Sequence, residues 1–493
     1  MQLVRVRTLG DVSDAPLSSM GGIGVFVTAV REAVLSGECD LAVHSMKDLP
    51  TTPAEGLTIA AIPTREDPRD ALCARDGLTL DRLPDAAAVG TGSPRRAAQL
   101  SAVRPDLRVV DIRGNVETRL SRVGADLDAV VLAVAGLNRI GRSDAITEIL
   151  DPHVLVPAPA QGALAVECRT DDHALRELLG RLDDPASRAA AEAERAVMRL
   201  IEAGCSAPFG ASAHLDGDRL TVTARLAGAA GLRTVTLTGQ ADAADTLTHA
   251  LAARVAPLRG LRVLMPPSGL AETLRAEGVA VTTVALTETR PLDPLPLLRA
   301  LTDPPDVITF TSARTVDVLT AAGIELSELI PAGTTVAAVG PATAAAATAA
   351  GLQVTVLPAS GSGGSALAQA FGDGPGRVLI PGAADPAPGL AQGLTARGWS
   401  VIEVGVYATV PTASVSAEVT IGWPDAYDAF VVTAPSVAAA AHDLLGPGPR
   451  VVALGATSAQ AAADLGFEVA AVADEATGAA LVEALATLRK EFR

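Results

Sequence analysis

Short apolar, β-branched runs recur through the first part of the chain, each followed by a stretch with helical spacing. "DLAVHSM", "LTIAAIP", "AAVGTGS", "LRVVDIRG" and "LDAVVLAVAGL" are the clearest. This alternation predicts α/β architecture with largely parallel sheets and sites at the carboxyl ends of strands. From about Arg188 to Val255 the pattern changes to a helix, two strand-like runs ("DRLTVTARLAG" and "LRTVTLTGQ") and a second helix, a small α+β unit. The remainder repeats itself. "VITFTSARTV" is echoed by "AFVVTAPSV", and "VAAVGPATAAAATAAGLQVTVLP" by "VVALGATSAQAAADLGFEVAAVA". Gly340 and Gly455 are 115 positions apart, as are Gly351 and Gly466. Two related α/β lobes are therefore expected over about 257–493, with a cleft between them.

Composition refines this picture at a few points. At 493 residues the chain has room for about three or more domains. Aromatics make up only 2% of it, so the cores must be built from Ala, Val and Leu. The net charge of −17 argues against a general nucleic-acid surface. Yet nine arginines stand against five acidic residues between Arg95 and Arg142, and at cellular salt a bound anion feels those neighbours most. Four scattered cysteines, without CxxC or His-pair spacing, indicate neither a disulfide scaffold nor a metal site. The longest uncharged run is broken by turn formers and is a poor membrane span. The opening residues carry no apolar core followed by a cleavage site, so a cytoplasmic location is expected.

Several strand exits carry chemistry. "LAVHSMKDLPT" ends a strand and at once presents His44, Ser45, Lys47 and Asp48, where solvated surface groups are the ordinary alternative. "VGTGSPRRAAQL" opens a helix with Arg95 and Arg96 after Thr91 and Ser93; helix starts favour anions, and arginine grips carboxylates with paired hydrogen bonds. "VVDIRGNVETRL" and "LAVAGLNRIG" place Arg113, Arg119 and Arg139 after two further strands. Three exits aiming arginines at one sheet edge suggest a polycarboxylate pocket. In "LIEAGCSAPFGAS", Cys205 follows a helix capped by candidates Asp183, Asp184 and Ser187, with Gly204 past its end. A buried structural thiol and a reactive exposed one both fit that setting.

These segments, in this order, resemble the porphobilinogen deaminase family. The matching stretches are "GGIGVFVTAV", "AVHSMKDLPT", "REDPRDA", "GTGSPRR", "DIRGNVETRL", "AVAGLNRIG", "PAQGALAVECR" and "ERAVMRLIEAGCSAPFGASA", over about residues 1–250. The resemblance implies two periplasmic-binding-protein-like α/β lobes (1–66 with 160–183, and 67–159) and a small α+β domain at 184–256. It also implies a dipyrromethane cofactor held by a thioether to Cys205, which primes chain growth from porphobilinogen to hydroxymethylbilane. Asp48 matches the catalytic aspartate, placed where positive charge develops on pyrrole nitrogen. Lys47, Ser45, Thr91, Ser93, Arg95, Arg96, Arg113 and Arg119 are implied as cofactor contacts, and Arg139 and Gln161 as substrate contacts. His44 reads as a structural hydrogen-bonding residue, and Cys39, Cys73 and Cys168 as core.

Residues 257–493 are similar to uroporphyrinogen-III synthase through "TFTSARTV", "AAVGPATA", "VGVYATVP", "VVTAPSV" and "ALGATSAQ". That implies one lobe from 257–290 with 405–493 and another from 291–404. Tyr407 is the matched catalytic residue, and Thr311, Ser312, Thr433, Thr457 and Ser458 are candidate substrate-binding donors. For each hydroxyl, capping a helix is an equal alternative. A transferase followed by a hydro-lyase is thus expected, acting on small molecules without metal, nucleic acid or membrane. The alternatives are a solute-binding module, or a synthase joined to a deaminase half that serves as scaffold. The deaminase family's first strand and helix, with an R-x-S-x-L-A-x-x-Q run, have no counterpart before Met1. Losing about five buried side chains at ~1.5–3 kcal/mol each predicts that the natural start lies upstream. Ile23 replaces a lysine in the family's GGKG, and Pro94 precedes the arginine pair, where it is expected to stiffen the turn.

Overall fold

The computed structural model describes residues 2–4, 6, 24–204, 207–358, 363–386 and 389–488; Ile23 and Cys205 lie outside them. Contacts divide the chain into two units, Met1–Leu261 with Gly269–Val281 and Glu475–Arg493, and Arg262–Ser268 with Thr282–Asp474.

The first unit holds three sheets. Its strands are β1 (Leu41–Ser45), β2 (Leu57–Ala61), β3 (Asp70–Ala74), β4 (Ala88–Gly90), β5 (Arg108–Val110), β6 (Ala129–Ala133), β7 (Glu148–Ile149), β8 (Leu164–Arg169), β9 (Phe209–Asp216), β10 (Arg219–Gly228) and β11 (Gly231–Gln240). They are ordered β1-β8-β2, β5-β4-β6-β3-β7 and β11-β10-β9. These sheets are not largely parallel, contrary to what the strand pattern predicts. β8 runs antiparallel to both β1 and β2, and β3 antiparallel to β6 and β7. The reason is chain crossing. β3 receives the chain from the first sheet and β8 returns it from the second, so each enters its sheet against the local direction. β4, β5 and β6 stay parallel, and their carboxyl ends share one edge.

Among the described residues β1 is an edge strand, and its register sorts its side chains cleanly. Ala42 and His44 face Glu167 and Ala165 on the side covered by the helix Gly24–Leu35, while Val43, opposite Val166, is 58% exposed. Glu167 accepts two hydrogen bonds of 2.9 Å from Arg31 and lies 3.4 Å from His44 Nε2, which is buried and makes no hydrogen bond among the described residues. Cys73 and Cys168 are core residues, while Cys39 is half-buried at a core margin.

The helix Pro185–Leu200 begins at Asp184, whose carboxylate accepts from Ser187 N, with Pro185 in the first turn. It packs on the β9–β11 sheet around Val197, Leu220, Val222 and Leu251. The sequence pattern showed β10 and β11 but not β9, whose "FGASAHLD" is too rich in small residues to read as a strand. Glu194 of this helix ties the unit together. Fully buried, it pairs with Arg65 through two bonds of 2.8 and 2.9 Å and accepts from Ala160 N and Ala213 N at 2.6 Å.

The second unit is built on a doubled plan. Its strands are β12 (Arg262–Met265), β13 (Ala280–Thr283), β14 (Thr287–Pro291), β15 (Val307–Phe310), β16 (Thr335–Ala338), β17 (Val354–Val356), β18 (Arg377–Ala383), β19 (Ser400–Pro411), β20 (Ala429–Val432), β21 (Val451–Leu454) and β22 (Val469–Ala473). One sheet is ordered β13-β12-β20-β21-β22, the other β14-β19-β18-β15-β16-β17. Apart from the added antiparallel β14, the two orders correspond strand for strand, and Gly340 and Gly455 occupy matching helix caps. The sequence repeat is thus a structural repeat. The expected lobe crossings at 290/291 and 404/405 fall within β14 and β19, both strands of the six-stranded sheet.

Candidate active site

A single helical turn, Met46–Asp48, follows β1 directly. Met46 is buried and anchors it. Arg195 donates to the carbonyls of Met46, Leu49 and Pro50 at 2.9, 2.8 and 2.6 Å, and so fixes a turn that presents Lys47 and Asp48. Asp48 is half-buried and makes no hydrogen bond or salt bridge among the described residues. The Lys47 ammonium lies 3.4 Å from Gln161 Oε1. Desolvation, with the charge of Arg96 next, pushes Lys47 below the usual lysine value.

The three arginine-bearing exits leave β4, β5 and β6 at their shared edge. At the first, Gly92 is required by contact: a Cβ there would sit 2.5 Å from the Ile112 carbonyl. Thr91 is buried and its hydroxyl accepts from Ser93 N; Ser93 caps the helix Pro94–Val103 by accepting from Arg96 N. Pro94 occupies the first helical position, where its fixed φ suits the helix and its missing N–H costs nothing. The expected stiffening is ordinary helix initiation.

Arg95 and Arg96 do not stand open at that edge. Both are buried around Asp70, a residue the sequence reading did not single out. Arg96 donates Nε and Nη2 to Asp70 Oδ1 at 3.1 and 2.7 Å and Nη1 to Val131 O at 2.9 Å. Arg95 Nη2 is 2.9 Å from Asp70 Oδ2, and its Nη1 donates to Val156 O at 2.6 Å. Gln161 donates to Asp70 Oδ1 and to the Pro68 carbonyl, both at 2.8 Å. Burial alone would raise the Asp70 carboxyl; the two guanidinium charges, with hydrogen bonds from Arg96 and Gln161, outweigh it and hold the group well below the carboxylate range. Two guanidinium cations thus flank a single buried carboxylate. Arg119 is close enough to feel Arg96, and its Nε is buried without a hydrogen-bond partner among the described residues. Arg113 and Arg139 are exposed and unpaired among those residues. Ser45 is half-buried at the end of β1.

Residues 1–177 match the family model described as "Porphobilinogen deaminase, dipyromethane cofactor binding domain", and residues 189–256 match "Porphobilinogen deaminase, C-terminal domain". The porphobilinogen deaminase of Cutibacterium acnes is 61% identical over 229 residues, which are 44% of this chain and 69% of that protein. That of Thermobifida fusca is 53% identical over 258 residues, 50% of this chain and 80% of that one. The chain belongs to the porphobilinogen deaminase family. Beyond the deaminase part, residues 268–483 match "Uroporphyrinogen-III synthase HemD", so the two domain types are joined in one chain. A mutant uroporphyrinogen III synthase from Thermus thermophilus aligns at 20% identity and TM-score 0.33, over 47% of this chain and all of that one; a likeness this low carries no argument.

In the synthase part, the candidate hydroxyls follow parallel strands. Thr311 and Ser312 come after β15, Thr433 after β20, and Thr457 and Ser458 lie in the first turn after β21. Ser312 caps its helix by accepting from Arg314 N, while Ser458 is buried. Thr311 and Thr433 are half-buried and Thr457 is exposed. The Tyr407 ring is 6% exposed and packs in the core with Phe310 and Leu379. Among the described residues no His, Cys, Asp and Glu cluster could hold a metal, and no helix is long and apolar enough to cross a membrane.

Proposed function

We propose that this chain is a bifunctional enzyme of tetrapyrrole biosynthesis. Its deaminase half joins four molecules of porphobilinogen into hydroxymethylbilane, releasing ammonia at each addition. Its synthase half closes that product to uroporphyrinogen III and inverts the last ring. The observation that carries the first step is the buried surplus of positive charge around Asp70, with the carboxylate of Asp48, unpaired among the described residues, on the adjoining turn. A polypyrrole bearing acetates and propionates fits that charge, and Arg119 Nε, which has no partner among the described residues, calls for the same kind of acceptor. Held by Cys205, the dipyrromethane supplies the primer to which new pyrroles are joined.

The residues of the pocket divide the remaining work. Lys47, Arg95, Arg96 and Arg119 hold carboxylates already inside, and exposed Arg113 and Arg139 receive those that enter. Charge-assisted hydrogen bonds of this kind contribute about 1.5–3 kcal/mol each. Ser45, Thr91, Ser93 and Gln161 orient these groups. Asp48 faces the pyrrole nitrogen that gains positive charge as ammonia departs, and an aimed carboxylate stabilises that state most where water is excluded. In the synthase half, Thr311, Ser312, Thr433, Thr457 and Ser458 donate to a flexible polyanion, and Tyr407, packed in the core, gains no support for a catalytic role. The location that suits this work is the cytoplasm. Incubation with porphobilinogen and isomer analysis of the product tests the proposal. Type III uroporphyrinogen is expected; type I would remove the synthase step, and unconsumed porphobilinogen would overturn the deaminase reading.

A further inference from the structure

Two adjacent arginines on one helix point their side chains in directions about 100° apart unless something else aligns them. Here a single carboxylate does so. Asp70, the first residue of β3, has no solvent exposure and takes Arg96 on Oδ1 and Arg95 on Oδ2. Each guanidinium then has a second fixed point on a backbone carbonyl, Val131 for Arg96 and Val156 for Arg95. Two points define the plane of a rigid fork. Gln161 extends the arrangement, donating to Asp70 and lying within 3.4 Å of Lys47, on the turn that also carries Asp48.

Asp70 orients these cations without exhausting them. A guanidinium has five N–H groups. Arg96 uses three on Asp70 and Val131, while Arg95 donates one to Val156 and meets Asp70 Oδ2 as an ion pair at 2.9 Å, outside hydrogen-bond geometry. Among the described residues the other N–H groups of both, and those of the Lys47 ammonium beyond the one given to Gln161, meet no acceptor and can serve an incoming carboxylate. Gly210 of β9 allows the close packing behind Arg95: a Cβ there would meet Val156 O at 2.6 Å and Arg95 Cδ at 3.2 Å.

We propose that Asp70 is the positioning residue of the anion pocket: it touches no substrate, but its carboxylate sets the planes of Arg95 and Arg96 and, through Gln161, the placement of Lys47. This rests on the deaminase reading given above. An Asp70 that only neutralised buried charge would govern stability alone; one that positions the fork must also govern substrate affinity.

Steady-state kinetics with porphobilinogen on the full chain, alongside thermal melting, separate the two roles. Asp70→Asn is expected to raise KM by about tenfold or more, since small misplacements of binding groups cost that much. In an Arg96→Met background the same change should raise KM by clearly less than in wild type, because one of the two guanidinium groups it aligns is gone. Should Asp70→Asn not fold, Asp70→Glu decides: it keeps the charge and moves the carboxylate by one methylene, so KM should still rise about tenfold while melting stays close to wild type. A lowered melting temperature with unchanged KM, or full additivity with Arg96→Met, would overturn the positioning role. Failure of the deaminase reading looks different: the wild-type chain itself would leave porphobilinogen untouched.

Discussion

At the residue scale the site turns on which carboxylates are engaged. Asp70 is enclosed by guanidinium groups, whereas Asp48, half-buried on its turn, is engaged by none among the described residues. Asp48→Asn should therefore lower the deaminase rate constant by about 10²–10³-fold with little change in KM, read by single-turnover consumption of porphobilinogen. Asp70 also leaves a mark on stability. Its folded carboxyl titrates below the ordinary aspartate value of 3.8, so on acidification the unfolded chain takes up that proton first. Its stabilisation is complete above that value and is lost as pH falls through the lower folded one. The melting gap between wild type and Asp70→Asn should be constant near neutrality and narrow below about pH 3.8; a gap that stays constant would contradict this. The residues themselves were legible to different degrees. Lys47, Asp48 and the arginines announced themselves as charges at strand exits. Asp70 and Arg195 did not, because an aspartate opening a strand and an arginine inside a helix look like surface residues until the fold buries them.

At the scale of elements, the three parallel exits of β4, β5 and β6 are what a repeated strand-then-arginine pattern can convey, and the edge they share follows from it. Strand direction is different. β3 and β8 carry the same alternation as their neighbours, and only the path of the chain between two sheets makes them antiparallel. β9 stayed hidden because its alanines and glycine pack closely without bulk. Gly210, which no propensity favours in a strand, is there because the Val156 carbonyl comes so near. Glu194 binds these elements to one another, taking Arg65 and two backbone amides in full burial. Breaking a buried pair from one side costs about 3–5 kcal/mol. Glu194→Gln should shift the denaturant midpoint of the deaminase half by a corresponding amount while the synthase half, supplied with hydroxymethylbilane, keeps its activity. Equal loss of both activities would contradict that division.

At the scale of the whole molecule, a chain of net charge −17 keeps a local excess of cations for a polyanionic ligand. Short-range pairing decides there, since Lys47, Arg95, Arg96 and Arg119 are buried or half-buried, where salt screens them less. The synthase half was legible through its internal repeat, which survives as two sheets of matching strand order. Its chemistry was less so, because hydroxyls after parallel strands serve helix caps and ligands equally well, as Ser312 illustrates. The central claim is that polypyrrole grows from a thioether at Cys205 within this cationic pocket. Intact-mass measurement of freshly isolated full chain tests it most directly. The account predicts a two-pyrrole adduct on the wild-type protein and its absence from Cys205→Ser. Porphobilinogen turnover by a chain bearing no adduct would contradict it.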